Sequence, residues 1–145
     1  ILRLTKAVVE RSYDLVIWQV GTNDAVNGGD IEAFKGMIRD GLAAVRKAGP
    51  SLVLLDPQYF PSVRDPQRYQ RFVRAIAETA DASAAPVLSR YDAMLGWHKR
   101  DATAFTSALS SDGFHMSDAG YDCLARDMTT ALVGLTGNMR FARAD

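Results

Sequence analysis

The chain has 145 residues, with 17 basic and 17 acidic side chains that leave no formal net charge, and 48% of it is hydrophobic. These numbers fit one globular domain and exclude the basic footprint of a nucleic-acid binder. No apolar run approaches the roughly 18 residues needed to cross a bilayer, and a single cysteine, Cys123, excludes an intrachain disulfide.

Ile1-Leu2-Arg3-Leu4 starts at once with helical spacing and has no capping residue before it, as if cut from within a longer protein. Residues 1–12 read as the end of an amphipathic helix with Leu4, Val8 and Val9 on one side. Leu15 to Val20 is a short, nearly unbroken apolar run that stops at Gly21, the pattern of a parallel strand buried on both faces. Asp30 caps a helix whose apolar face is Ile31, Phe34, Ile38, Leu42 and Val45, and Gly49-Pro50 ends it. Leu52 to Asp56 is a second buried strand. Asp65-Pro66 opens a helix with proline at its first position and Tyr69, Phe72, Val73 and Ile76 on its apolar face. Pro86 to Ser89 is a third, shorter strand. Residues 91–111 read as one short helix and a loop, and Ser117 caps a last helix with Tyr121, Leu124, Met128 and Leu132 on its face. Cys123 reads as a small core residue.

Alternation of helix and strand predicts an α/β fold, with a parallel sheet covered by helices on both faces. The strand at 15–20 is too apolar for an open edge. It predicts at least one further strand before Ile1, within about 60–90 residues if two βα units are missing.

Ligands of an open parallel sheet bind beyond the carboxyl ends of its strands. After the first strand comes Gly21-Thr22-Asn23-Asp24, where the Asn23 carboxamide is a neutral donor suited to a developing oxyanion. Taken alone, the same four residues also read as an ordinary turn. Before the last helix comes Asp112-Gly113-Phe114-His115, where a carboxylate three residues from an imidazole can fix its tautomer and leave Nε2 as a base. Alone, it also reads as a capped turn or part of a metal site. With two histidines and one cysteine in the chain, a set of three or four ligands is hard to assemble.

Gly-Thr-Asn-Asp after a buried strand and Asp-Gly-Phe-His-Met-Ser-Asp-Ala-Gly-Tyr entering the final helix together resemble the third and fifth sequence blocks of the SGNH/GDSL hydrolases. The resemblance covers residues 1–135. It implies a three-layer α/β/α domain with a flavodoxin-like sheet over 1–136, N-terminally truncated; the residues 137–145 themselves read as a loose tail. It implies a serine ester hydrolase in which Asn23 serves the oxyanion hole, Asp112 orients His115, and His115 is the general base. The family's nucleophilic serine sits in a Gly-Asp-Ser block and a further oxyanion donor in a second block, and neither block is present here. Ser62 and Ser89 lack that context, and Ser110 and Ser111 lie too close in sequence to His115 for a good attack geometry, so the chain alone is expected to be nearly inactive. No cofactor or metal is implied. The expected substrate is a small-molecule or carbohydrate ester. A polysaccharide O-acyl esterase or acetyltransferase and a non-catalytic binding domain of the same fold stay open, as does the compartment.

Two other features are read as structural. His98 is a surface residue beside a half-buried Trp97. Arg64, Arg68, Arg71 and Arg74 form the solvated side of their helix. Tyr59 and Phe60 either line an acyl pocket or pack in their loop, and Phe105 and Leu109 either border the substrate or do not.

Overall fold

The computed structural model describes residues 2–138. The chain forms two compact units, divided after Tyr91.

The first unit runs α1 (Leu2–Glu10), β1 (Leu15–Gln19), α2 (Thr22–Asn27), α3 (Ile31–Ala48), β2 (Ser51–Leu55), α4 (Pro66–Ala82) and β3 (Val87–Leu88), and ends where α5 (Arg90–Arg100) begins. The sheet is parallel in the order β1-β2-β3. Gln19 lies opposite Leu55, and Leu55 opposite Leu88. All three strands therefore end at one level, and whatever follows them shares one rim.

The helices form where local chemistry starts and stops them. Asp30 accepts from the Ala33 amide at 2.8 Å, and Asp65 accepts from the Arg68 amide at 2.9 Å, so each satisfies a donor that its helix leaves orphaned. Pro66 sits at the first position of α4, where its missing N–H costs nothing. Gly49 ends α3 at φ +105°, a conformation open to glycine. Phe34, Ile38, Leu42 and Val45 of α3 and Tyr69, Phe72 and Ile76 of α4 are buried. Each contributes about 1.5–3 kcal/mol on leaving water. The Phe34 and Phe72 rings meet with centroids 5.1 Å apart. Gly41 lets α3 approach the sheet closely, because a Cβ there would run into the Trp18 ring.

Two expectations are corrected in this unit. β1 is not buried on both faces: Leu15 is 39% and Ile17 42% exposed. Among the described residues its one partner is β2, and alternate side chains, those of one face, reach solvent. Val9 does not share the buried face of α1. Val8 is buried and Val9 is exposed, since adjacent helical residues point about 100° apart.

The second unit contains the rest of α5, then α6 (Ala102–Phe105), a 3-10 turn (Thr106–Ala108), the loop 109–117 and α7 (Asp118–Asn138). Residues 91–111 are thus more regular than one short helix and a loop. Asp101 caps α6 by accepting from the Thr103 and Ala104 amides at 3.0 and 2.8 Å. Ser117 caps α7 as expected, with its hydroxyl accepting from the Gly120 amide at 3.1 Å. On α7, Leu124 is buried and Met128 and Leu132 are half-buried, but Tyr121 is exposed, and so is Cys123, which corrects its reading as core. His98 is half-buried rather than on the surface, edge-on to the buried Phe105 ring at 5.3 Å. α7 continues through Asn138, and the remainder of the expected tail, 139–145, lies outside the described residues. Among the described residues no helix is long and apolar enough to cross a membrane.

Candidate active site

Loop 109–117 is closed on itself before any ligand is considered. Leu109 and Met116 form an antiparallel bridge, and the Ser110 amide donates to the His115 carbonyl at 2.8 Å. Its base is fixed twice. The Ser117 amide donates to the Ala108 carbonyl at 3.0 Å, and the Ser117 hydroxyl donates to the Ser107 carbonyl. Gly120 lies so near that carbonyl of Ala108 that a Cβ would collide with it. Gly113 turns the loop at φ +66°.

At the centre of this loop is Asp112. Its Oδ2 lies 2.6 Å from His115 Nδ1. Its Oδ1 accepts from the amides of Phe114 and His115, both at 2.9 Å, and from the Ser110 hydroxyl at 2.8 Å. The His115 ring foremost, then the Phe114 amide, the Ser110 hydroxyl and the His115 amide, hold the Asp112 carboxyl well below the usual carboxylate range. A carboxylate beside Nδ1 selects the tautomer with its proton there, so Nε2 carries the lone pair. The His115 side chain is 67% exposed, with the Phe114 ring edge-on at 4.7 Å. The group that sequence reasoning missed is Ser110 as a donor to Asp112. A serine two residues before the Asp of a tight turn was the available signal.

Asn23 belongs to the first unit. It is exposed in the first turn of α2, a helix that the sequence presents only as a turn. Gly21 enters this helix at φ +97°, and a Cβ there would come within 2.8 Å of Ile76 and 3.0 Å of Phe34. Only glycine meets both demands. Asp24 braces the far end through its carbonyl, which accepts from the Gly28 and Gly29 amides at 3.1 and 3.0 Å. Asp112 and His115 are thus brought together within the second unit, while Asn23 stands on the rim of the first.

Two of the four serines weighed from sequence are held by carboxylates. Ser89 donates to Asp56 at 2.8 Å, and Ser110 donates to the carboxylate rather than facing Nε2. Phe60 is buried edge-on to Tyr69 at 5.4 Å, whereas Tyr59 is half-buried against Tyr91 at 5.7 Å. Arg64, Arg71 and Arg74 are solvated and Arg68 is half-buried.

A parallel α/β sheet with a glycine-led turn after its first described strand, and an Asp–His pair at the entry to a last helix, fit the SGNH/GDSL class of serine esterases and lipases. The chain belongs to the Non-GDSL lipase-like family, whose model matches residues 1–136. Solved structures agree on the fold. The lipase/acylhydrolase from Enterococcus faecalis superposes with a TM-score of 0.77 at 24% identity, over 92% of this chain and 68% of that one. An acetyl xylan esterase matches at 0.77 and 20%, over 90% of this chain and 72% of that one. A peptidoglycan O-acetylesterase matches at 0.68 and 20%, over 94% of this chain and 41% of that one. The shared fold is the three-layer α/β/α architecture with a flavodoxin-like sheet. No curated protein sequence matches the chain.

Proposed function

We propose that residues 1–136 act as one hydrolase domain in which His115 is the general base, Asp112 its orienting partner and Asn23 an oxyanion donor. The observation that carries this reading is the 2.6 Å contact between Asp112 Oδ2 and His115 Nδ1, on an exposed imidazole. His115 Nε2 takes the proton of a serine hydroxyl as its oxygen bonds to the acyl carbon. The Asn23 carboxamide donates to the oxyanion that forms. The same proton passes to the departing alcohol, and water then releases the acid by the reverse sequence. The serine is proposed to lie outside these 145 residues, because they hold no Gly-Asp-Ser block and Ser89 and Ser110 are committed to carboxylates. The substrate is a small-molecule or carbohydrate ester, in keeping with the acetyl xylan and peptidoglycan esterases among the similar structures.

A fluorophosphonate probe tests this directly. The full-length protein containing these residues should be labelled at one serine, and the 145-residue chain should hydrolyse p-nitrophenyl acetate only at background. Turnover by the 145-residue chain at enzymatic rates, lost in His115→Ala, would falsify the external nucleophile.

A further inference from the structure

Arg90 is one of the largest fully buried side chains, at 1% exposure, and the hydrolytic steps above do not use it. A guanidinium is kept out of water only where its N–H groups are met. Here they are met along the rim. Arg90 follows β3 by two residues; its Nε donates to the Asp56 carbonyl just beyond β2 at 3.2 Å. Its other nitrogens donate to Gln19, the last residue of β1, at 3.3 Å and to the Thr22 hydroxyl at 3.4 Å. One side chain thus ties together the ends of all three strands.

The Thr22 contact goes further than tying strands. Thr22 opens α2 and is the residue before Asn23. Its hydroxyl accepts from Arg90 and is also hydrogen-bonded to the Tyr69 hydroxyl. Tyr69 in turn donates to the Gln58 carbonyl at 2.7 Å. The donors and acceptors run in one direction: Arg90 to Thr22, Thr22 to Tyr69, Tyr69 to backbone. The Thr22 hydroxyl is thereby engaged from two sides. Burial pushes the Tyr69 hydroxyl well above its ordinary value against the pull of Thr22 and Arg90, so it stays protonated as a donor.

We infer that Arg90 is a positioning residue for the oxyanion donor, acting through Thr22 to set the first turn of α2 and hence the Asn23 carboxamide. This rests on the assignment of Asn23 above. An oxyanion donor acts only if held where charge develops, so a slackened turn lowers kcat without changing ground-state binding.

The test is a double-mutant cycle on the full-length enzyme. Thr22→Val keeps the branched shape and removes the hydroxyl. It is expected to lower kcat about tenfold with KM unchanged, to be largely rescued by Thr22→Ser, and to add nothing in an Asn23→Ala background. Arg90→Lys should show the same loss and the same lack of additivity; if it fails to fold, the Thr22 cycle decides alone. Independent effects of Thr22→Val and Asn23→Ala, or a rise in KM at constant kcat, would overturn the positioning role while leaving the Asn23 assignment standing. Full activity in Asn23→Ala would remove both.

Discussion

The molecule contains two polar clusters built on opposite plans. Around Asp56 and Arg90, at 3% and 1% exposure, every described contact is made inside the first unit, between residues drawn from three strand ends. Around Asp112 and His115, at 49% and 67% side-chain exposure, contacts come from within five residues, and solvent reaches both side chains. The first cluster has its surroundings supplied by the fold and can only hold. The second is self-assembled and open on one side, which leaves an imidazole nitrogen available for chemistry. Charge alone therefore does not mark a reactive site; the free valence does.

Substitutions should separate the two clusters by what they cost. The largest effect is expected for His115→Ala in the full-length protein, a loss in kcat on the order of 10⁴–10⁶ with only a small drop in melting temperature, since the ring is exposed. Assays of turnover beside calorimetry check this, and a variant that turns over normally removes His115 from the mechanism. Next is Asp56→Ala, which strips the acceptor from the Ser89 hydroxyl and the Tyr91 amide, each at 2.8 Å. It should destabilise the fold by about 2–6 kcal/mol in urea titrations, about 1–3 kcal/mol for each donor left unmet. A cost below about 1 kcal/mol would mean the buried cluster is not structural. Gly120→Ala is expected to cost about 1–3 kcal/mol by driving a methyl against the Ala108 carbonyl, and to lower turnover as well because that carbonyl anchors the loop. Stability without any loss of rate would show that the loop tolerates a shifted base.

The smallest effect concerns pH. The Asp112 carboxyl is depressed in the folded state, so its contribution is present above the unfolded value of about 4 and is lost as pH falls through the lower folded value. The difference in melting temperature between wild type and Asp112→Asn should be flat above about pH 4 and shrink below it. A difference that grows toward acid would reverse the sign assigned to this pair.

The same contrast explains what could be read from sequence. The Asp–His loop is local: Asp112, His115 and the Ser117 cap lie within six residues, and their spacing alone announces the pairing. The capped helices α3 and α4 were legible for the same reason, through Asp30, Gly49 and Asp65-Pro66. The Arg90 network joins residues 34 to 71 positions apart, and nothing near Arg90 in the chain hints at Gln19 or Thr22. β1 was misjudged because an apolar run reports what a strand prefers, while its exposure depends on what covers each face. The bounds of the short helix expected within 91–111 could not be placed because the eleven residues of α5 carry no sustained apolar period, and α2 was missed because four turn-forming residues open it.

The Ser117 hydroxyl has a practical consequence. It joins the start of α7 to the loop that carries His115, so the geometry of that loop is referenced to the beginning of the helix. Asn138, at the other end, is 21 residues on and about 30 Å distant along the axis. An affinity handle or surface linker attached there should leave the imidazole undisturbed, whereas one inserted near Asp118 would act as a lever on it.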